Sequence, residues 1–285
     1  MKQIFLFPNF TKEGTQDAAQ QIVRRLRELE FQVCCDETIR GQLGGETEAL
    51  CQWASYEDCL AGSHMVLVVG GDGSILRIAP DAARHDLPIL GVNTGKLGFM
   101  SELDTHELRY LRQLQQGQYA IDNRMMLDVT VLRQGENVYS ACLLNDVVIT
   151  KWPLVRLINI SLSINGTLTT SMRGDGIIVS TPTGSTAYTL SAGGPIIEPN
   201  ANCMAVTPIC AHELGVRPFV LSDERVVTIT AGAEDNKAYL SSDGGAPLEL
   251  EPSDTVTIRR SQWQTRLVRL KSIGFYQLIY KKLSI

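Results

Sequence analysis

No apolar run in this chain of 285 residues approaches the roughly 20 needed to span a bilayer. "MKQIFLF" begins like a secretory leader, but Pro8, Asn9, Lys12 and Glu13 follow at once and no small-residue cleavage site appears. The seven cysteines are an odd number without C-x-x-C spacing, which argues against a disulfide framework and a zinc knuckle. The four histidines never pair as H-x-x-H, so a histidine-built metal site is not expected. Basic residues are not clustered into a face: Arg24-Arg25, Arg259-Arg260 and Lys281-Lys282 are short, and the net charge is -5. Nucleic acid and anionic membranes are therefore not expected partners. There is no internal repeat and no low-complexity tract. Together these absences point to a soluble cytoplasmic protein, long enough for one large or two ordinary domains.

What is present changes character along the chain. "QIFLF", "FQVCC", "MVLVV" and "LPILGV" are unbroken apolar runs. Between them lie the helical stripe of "TQDAAQQIVRRLRELE", with Thr15 as its cap, and the helical piece "SILRIAPDAARH". Apolar strands alternating with helices predict a parallel sheet covered on both faces. From about residue 124 the pattern alternates at period two. "LDVTVL", "LINISLSI", "RVVTITA", "AYLSS" and "DTVTIRR" read as strands, and Asn165-Gly166 suits a type I′ turn. "RLVRLKSIGFYQLIYKKL" regains helical spacing, interrupted by Gly274. The expected domains are 1–123 (α/β, with 265–285 packing back on it) and 124–264 (β-rich).

"VLVVGGDGSILR" raises the first functional question. Glycines after a buried parallel strand permit positive φ and close backbone approach, and the next helix offers unpaired N–H donors to an anion. The spacing fits neither G-x-G-x-x-G nor a Walker A loop. Asp72, enclosed by Gly70, Gly71 and Gly73, would repel a bound phosphate unless it holds Mg²⁺ or takes a proton from an attacking hydroxyl. Arg77, five residues on, could face a phosphate or lie idle on the surface. The second cluster comprises "LLNDVVIT" and "RGDGIIVSTPTGSTAYTLSAGGP". Its density of hydroxyls and glycines suits either a loop around a polar, sugar-bearing ligand or a run of Ser/Thr turns. A serine nucleophile is disfavoured, since G-x-S-x-G and a nearby histidine are both missing.

"GGDGS", "GVNTGKLGF", "LNDVV" and "RGDGIIVSTPTGSTAYTLSAGGP", in that order over 70–195, resemble the motifs of bacterial NAD kinases. The first alone is shared with lipid kinases. The resemblance implies a Rossmann-like N-terminal domain and a β-sandwich-like C-terminal domain, assembled as a homodimer or homotetramer. It implies an active site between the domains and partly between subunits. The implied reaction is transfer of phosphate from ATP (or polyphosphate) to the adenosine-ribose 2′-hydroxyl of NAD, giving NADP, with a divalent cation such as Mg²⁺.

The same resemblance implies Asp72 as catalytic base and Gly70, Gly71 and Gly73 as the donor-phosphate loop. It implies dinucleotide contacts from Asp72, Gly73, Arg77, Asn145, Asp146, Arg156, Arg173 and Asp175, and from Thr186, Ala187, Tyr188, Thr189, Leu190 and Ser191. Where the family often carries an amide, "SSDGGAPL" offers Gly244 and Gly245. Two other readings remain open: a lipid kinase sharing the GGDG element, and a non-catalytic NAD-binding regulator.

Overall fold

The computed structural model describes residues 2–95, 98–151, 157–232, 237–271 and 274–283. They form two compact units, one of Met1–Asn123 with Thr265–Ile285 and one of Arg124–Gln264. No helix among the described residues is long and apolar enough to cross a membrane.

The first unit alternates strand and helix: β1 (Gln3–Pro8), α1 (Thr15–Glu28), β2 (Gln32–Asp36), α2 (Gly45–Glu48), β3 (Gln52–Ala54) and α3 (Tyr56–Gly62). Then come β4 (Met65–Gly70), α4 (Asp72–Arg84), β5 (Pro88–Asn93), β6 (Leu103–Asp104) and α5 (Arg112–Gln115). All strand pairs here are parallel, in the order β3-β2-β1-β4-β5. The sheet is buried on both faces, which is why β4 and β5 read as uninterrupted apolar runs. In α1 the stripe Ala18, Ile22, Leu26 is fully buried, each large aliphatic contributing roughly 2 kcal/mol. Its N-cap is Gly14, at φ 74°, and Thr15 is the first, buried helical residue rather than the expected cap.

The second unit holds β7 (Ala120–Arg133, from residue 124), β8 (Glu136–Leu143), β9 (Asp146–Lys151), β10 (Ile158–Ile164), β11 (Thr167–Gly174) and β12 (Gly176–Ser180). After the one-turn helix α6 (Tyr188–Ser191) follow β13 (Cys203–Ile209), β14 (Phe219–Ser222), β15 (Val227–Ala231), β16 (Ala238–Ser242) and β17 (Leu248–Leu250). The long strand β18 (Thr255–Arg269) comes next. One sheet contains β11-β10-β15-β18 with β7 and β8 beyond, and the other is β14-β13-β12-β9-β16-β17. Inward residues of both sheets, such as Leu127, Ile160 and Ile229 against Ile149, Val179 and Leu240, share one core. This is a β-sandwich. Asn165 and Gly166 take positive φ, 49° and 78°, in the turn joining β10 to β11.

The tail departs from its helical reading. Thr265–Arg269 continue β18, and Arg266 and Leu267 pair in parallel with Pro88 and Ile89 of β5. Leu267, Val268 and Leu270 are buried, and spacing alone does not distinguish this strand end from a helix. Helix α7 is confined to Phe275–Leu283. The fold class is thus α/β followed by β, with the last residues belonging to the first unit.

Candidate active site

In the first unit the strand order reverses between β1 and β4, and ligands of such sheets bind outside the carboxyl ends of the strands at that point. The glycine turn closes β4 there. A Cβ at Gly70 would overlap the Ser74 hydroxyl, and one at Gly71 would come 2.5 Å from the Lys12 ammonium. Gly73 meets nothing within 4 Å. None of the three has positive φ, contrary to the sequence expectation. Lack of a side chain, not a left-handed backbone, is what glycine supplies.

Asp72 is the first residue of α4, half-buried. Its carboxylate gathers the segment after β5. Oδ2 accepts the Phe99 N–H at 2.6 Å, and Oδ1 accepts the Ser101 N–H at 3.1 Å and the Ser101 hydroxyl at 2.9 Å. The Met100 N–H lies 3.3 Å from both oxygens. Both oxygens are engaged by this segment, Oδ1 by three donors and Oδ2 by two. These donors fix its orientation.

Two lysines that sequence reasoning missed attend this turn. Lys12, in the loop after β1, stands against Gly71. Lys282, on α7, lies 4.3 Å from the Phe99 ring centroid. Burial holds the Lys282 amine below its ordinary pKa, opposed by the charges of Asp72 and Asp104. Asn9 also joins the turn, donating to the Ser74 hydroxyl at 3.1 Å. The signal for Lys12 and Asn9 was their position just after an apolar strand. Nothing in the sequence pointed to Lys282.

In the second unit, the two motifs of the sequence lie together. Strand β9 pairs antiparallel with β12, setting Asp146 opposite Ser180. The Thr181 hydroxyl donates to the Leu144 carbonyl at 2.6 Å, and the Thr181 N–H donates to the Asn145 carbonyl at 2.8 Å. Gly184 packs so closely on the Asn145 carbonyl that a Cβ would overlap it. Arg124, buried, donates to the Thr183 hydroxyl at 3.2 Å. Asp243, in the turn after β16, was not anticipated. It accepts the backbone N–H groups of Leu144, Asn145 and Asp146 at 2.7, 2.8 and 3.0 Å.

Asp243 aligns two polar side chains that the protein leaves unmatched. Asn145 is 8% exposed and its Oδ1 has no hydrogen-bond partner; Asp146 is 5% exposed and its carboxylate accepts none among the described residues. Burial, and then the nearby Asp243 charge, raise the Asp146 pKa to about 7. Burial raises Asp243 as well, against the opposing pull of its three N–H bonds. A buried acceptor without a partner is costly unless a ligand supplies the donor. Beside it, Thr186 donates to the Thr183 carbonyl, Ala187 caps α6, and the Thr189 hydroxyl is buried and unmatched. Leu190 is half-buried, Ser191 is exposed, and Tyr188, 44% exposed, offers an open ring face.

Other expected residues lie elsewhere. Asp175 precedes β12, five strand residues or roughly 16 Å from Ser180. It pairs with Lys151, Nζ to Oδ1 2.6 Å. The Arg173 N–H donates to the Glu213 carboxylate at 3.0 Å, and its carbonyl accepts the His212 N–H at 2.9 Å. A single chain does not gather Arg173 and Asp175 with Asn145 and Asp146. Arg77 points across the Phe7 ring, 5.4 Å from its centroid. Arg156 lies outside the described residues.

Residues 4–119 match the family model of the ATP-NAD kinase N-terminal domain, and residues 144–270 that of the C-terminal domain. The chain is 36% identical over 285 residues to the NAD kinase of Natranaerobius thermophilus, spanning 100% of this chain and 98% of that relative. It is 37% identical over 284 residues to the NAD kinase of Geobacter sulfurreducens, spanning 99% and 98%. Among solved structures, yeast NADH kinase complexed with NADH superposes with a TM-score of 0.88 at 22% identity, covering 100% of this chain and 88% of that one. An NAD kinase from Archaeoglobus fulgidus in complex with ATP gives 0.73 at 24%, covering 100% and 99%. These two share the fold.

Proposed function

This chain belongs to the ATP-NAD kinase family and is a kinase, and on that footing we propose that it phosphorylates the adenosine-ribose 2′-hydroxyl of NAD, giving NADP. The observation that carries the reading is the pair of buried acceptors, Asn145 Oδ1 and the Asp146 carboxylate, that the protein leaves without donors. Ribose hydroxyls supply such donors, and an ionised carboxylate accepts them more strongly than an amide does. Tyr188 offers its ring for stacking, and the hydroxyls and backbone of 186–191 line the base pockets.

Asp72 acts as the base. Its Oδ2 takes the proton as the 2′-oxygen bonds to the donor's terminal phosphorus and the bond to the leaving phosphate breaks. Gly70, Gly71 and Gly73 admit the donor phosphates, Lys12 faces them, and the α4 N-terminus lends its dipole. A divalent cation, Mg²⁺ by its preference for phosphate oxygens, would neutralise charge on the donor. Among the described residues no group of three or more His, Cys, Asp or Glu could hold a metal, so that cation would arrive on the donor, with Asp72 the carboxylate at hand.

Arg173 and Asp175 belong in this reading to the dinucleotide site of another copy, since their own chain holds them a strand's length from Asp146. The protein then works as a homodimer or homotetramer in the cytoplasm. The purified protein with Mg-ATP, offered NAD or diacylglycerol, tests the reaction. NADP phosphorylated at the 2′ position, identified by mass and NMR, is expected. Phosphorylated lipid with NAD untouched would overturn the reading.

A further inference from the structure

We propose that Cys34 and Cys59 are a modification site for hydrogen peroxide, which joins them in a reversible disulfide that ties β2 to α3. All seven cysteines are free thiols, and the Sγ atoms of these two stand 2.9 Å apart. A disulfide needs about 2.05 Å, so the bond closes with under about 1 Å of further approach.

The pairing follows from the strand. Neighbouring residues on a strand point to opposite sides, so the doublet Cys34-Cys35 on β2 delivers one thiol to each face of the sheet. Cys34 meets Cys59 of α3. Cys35 packs with the buried residues of α1 and hydrogen-bonds with Cys51, just before β3. The sheet keeps the two pairs apart. Among the described residues no group of three or more His, Cys, Asp or Glu could hold a metal, so these thiols form no metal cage.

Cys34 and Cys59 are 2% and 0% exposed, which excludes a bulky oxidant. A small one has a route. Phe5 pairs with Cys34 across the sheet, Asp36 lies two residues beyond Cys34 on β2, and Tyr56 lies three residues before Cys59 on α3. All three wall one cavity of about 330 Å³. Residues two apart on a strand, or three apart on a helix, share a face, so this cavity borders the thiol pair.

The hydrogen bond between the thiols sets their roles. It holds the Cys34 thiol below its ordinary pKa and pushes Cys59 up, which makes Cys34 the attacking sulfur. Its thiolate takes one peroxide oxygen as the O–O bond breaks, giving a sulfenic acid, and the other oxygen leaves as water. The Cys59 sulfur then attacks the Cys34 sulfur, the S–S bond forms and the second oxygen leaves as water. Two thiols lose two protons and two electrons, and hydrogen peroxide becomes two waters. A dithiol reverses the step by exchange and is itself oxidised to a disulfide. The bond closes a loop across 25 positions that carries α2 and the edge strand β3, and so braces the edge of the sheet.

Peroxide treatment of the full chain, followed by denaturation, alkylation and sequencing of linked peptides by mass spectrometry, tests the assignment. A Cys34–Cys59 link is expected in the wild type and in Cys51→Ala, and none in Cys34→Ala. The Tm of the treated wild type should rise by about 5–10 °C, reversed by dithiothreitol and missing in Cys59→Ala. Should either alanine variant fail to fold, the wild-type map and its response to dithiothreitol decide alone. Recovery of both thiols alkylated after peroxide, a link from Cys59 to any other cysteine, or a Cys34–Cys59 link with unchanged Tm would overturn the proposal. None of these readouts needs turnover, so they stand apart from the kinase reading.

Discussion

The Ser101 hydroxyl donates to Oδ1 of Asp72 at 2.9 Å across 29 residues of sequence. Asp72 is therefore held from outside its own loop, by the segment after β5. That segment is anchored in turn by the chain's last strand. Arg269 donates to the Met100 carbonyl at 3.1 Å and pairs with Glu102, which also accepts the N–H groups of Leu270 and Lys271 at 2.9 and 2.7 Å. The position of the carboxylate thus depends on residues near the far end of the chain.

Glu102→Gln leaves Arg269 a neutral partner and removes the charge from a site 6% exposed. Loss of the ion pair and weaker acceptance of two N–H bonds should cost about 3 kcal/mol. Urea unfolding measures it. Turnover in the surviving folded enzyme should fall more than NAD affinity does, because the disturbed segment orients Asp72.

Asp243→Asn keeps the φ of 48° that asparagine tolerates but offers one acceptor oxygen to three N–H groups. Asn145 and Asp146 then lose their alignment. The Kd for NAD should rise at least about 10-fold, while kcat at saturating NAD changes less. A fall in kcat with unchanged NAD affinity would show that Asp243 does not act through the acceptor pair.

With its pKa raised from 3.8 to about 7, Asp146 holds a proton in the folded protein where the unfolded chain has released it. The ligand-free protein therefore loses stability as pH rises from about 4 to 7, by at most about 4 kcal/mol for three units. Asp146→Asn removes that contribution, so the drop in Tm between pH 5 and pH 8 should shrink. NAD affinity should run the other way in the wild type, improving as pH rises through 7 and the carboxylate ionises. The Asn variant should lose that dependence, which titrations at pH 6 and pH 8.5 would reveal.

Much of this was legible in the sequence where a motif is local. Gly70-Gly71-Asp72, Asn145-Asp146 and the hydroxyl run at 180–191 announce themselves by composition, and parallel and antiparallel textures differ because one sheet is buried on both faces. Ser101, Asp243 and Lys282 did not, because each reaches its site across tens to hundreds of residues and is an ordinary residue in its own segment. Asp175 shows the opposite error. Its motif runs into the hydroxyl run, yet an intervening extended strand carries it far from Asp146. Arg266–Arg269 resemble a helix in sequence because leucines spaced for a helix also serve a strand that packs on β5.

If Arg173 and Asp175 serve another copy's site, two inactive variants should rescue each other. Asp175→Ala and Asp146→Asn chains, separately impaired, should regain up to about a quarter of wild-type turnover per site when co-assembled, since random mixing leaves that share of sites intact. Mixtures no more active than the sum of their parts would place all dinucleotide contacts in one chain.

Asp72→Asn, compared with wild type for steady-state turnover and for NAD affinity on the same preparation, bears most directly on the chemistry. The expected result is a loss of about 10²–10⁴ in kcat that exceeds any loss of NAD affinity, since an amide takes no proton. Turnover equal to wild type would remove Asp72 as the base.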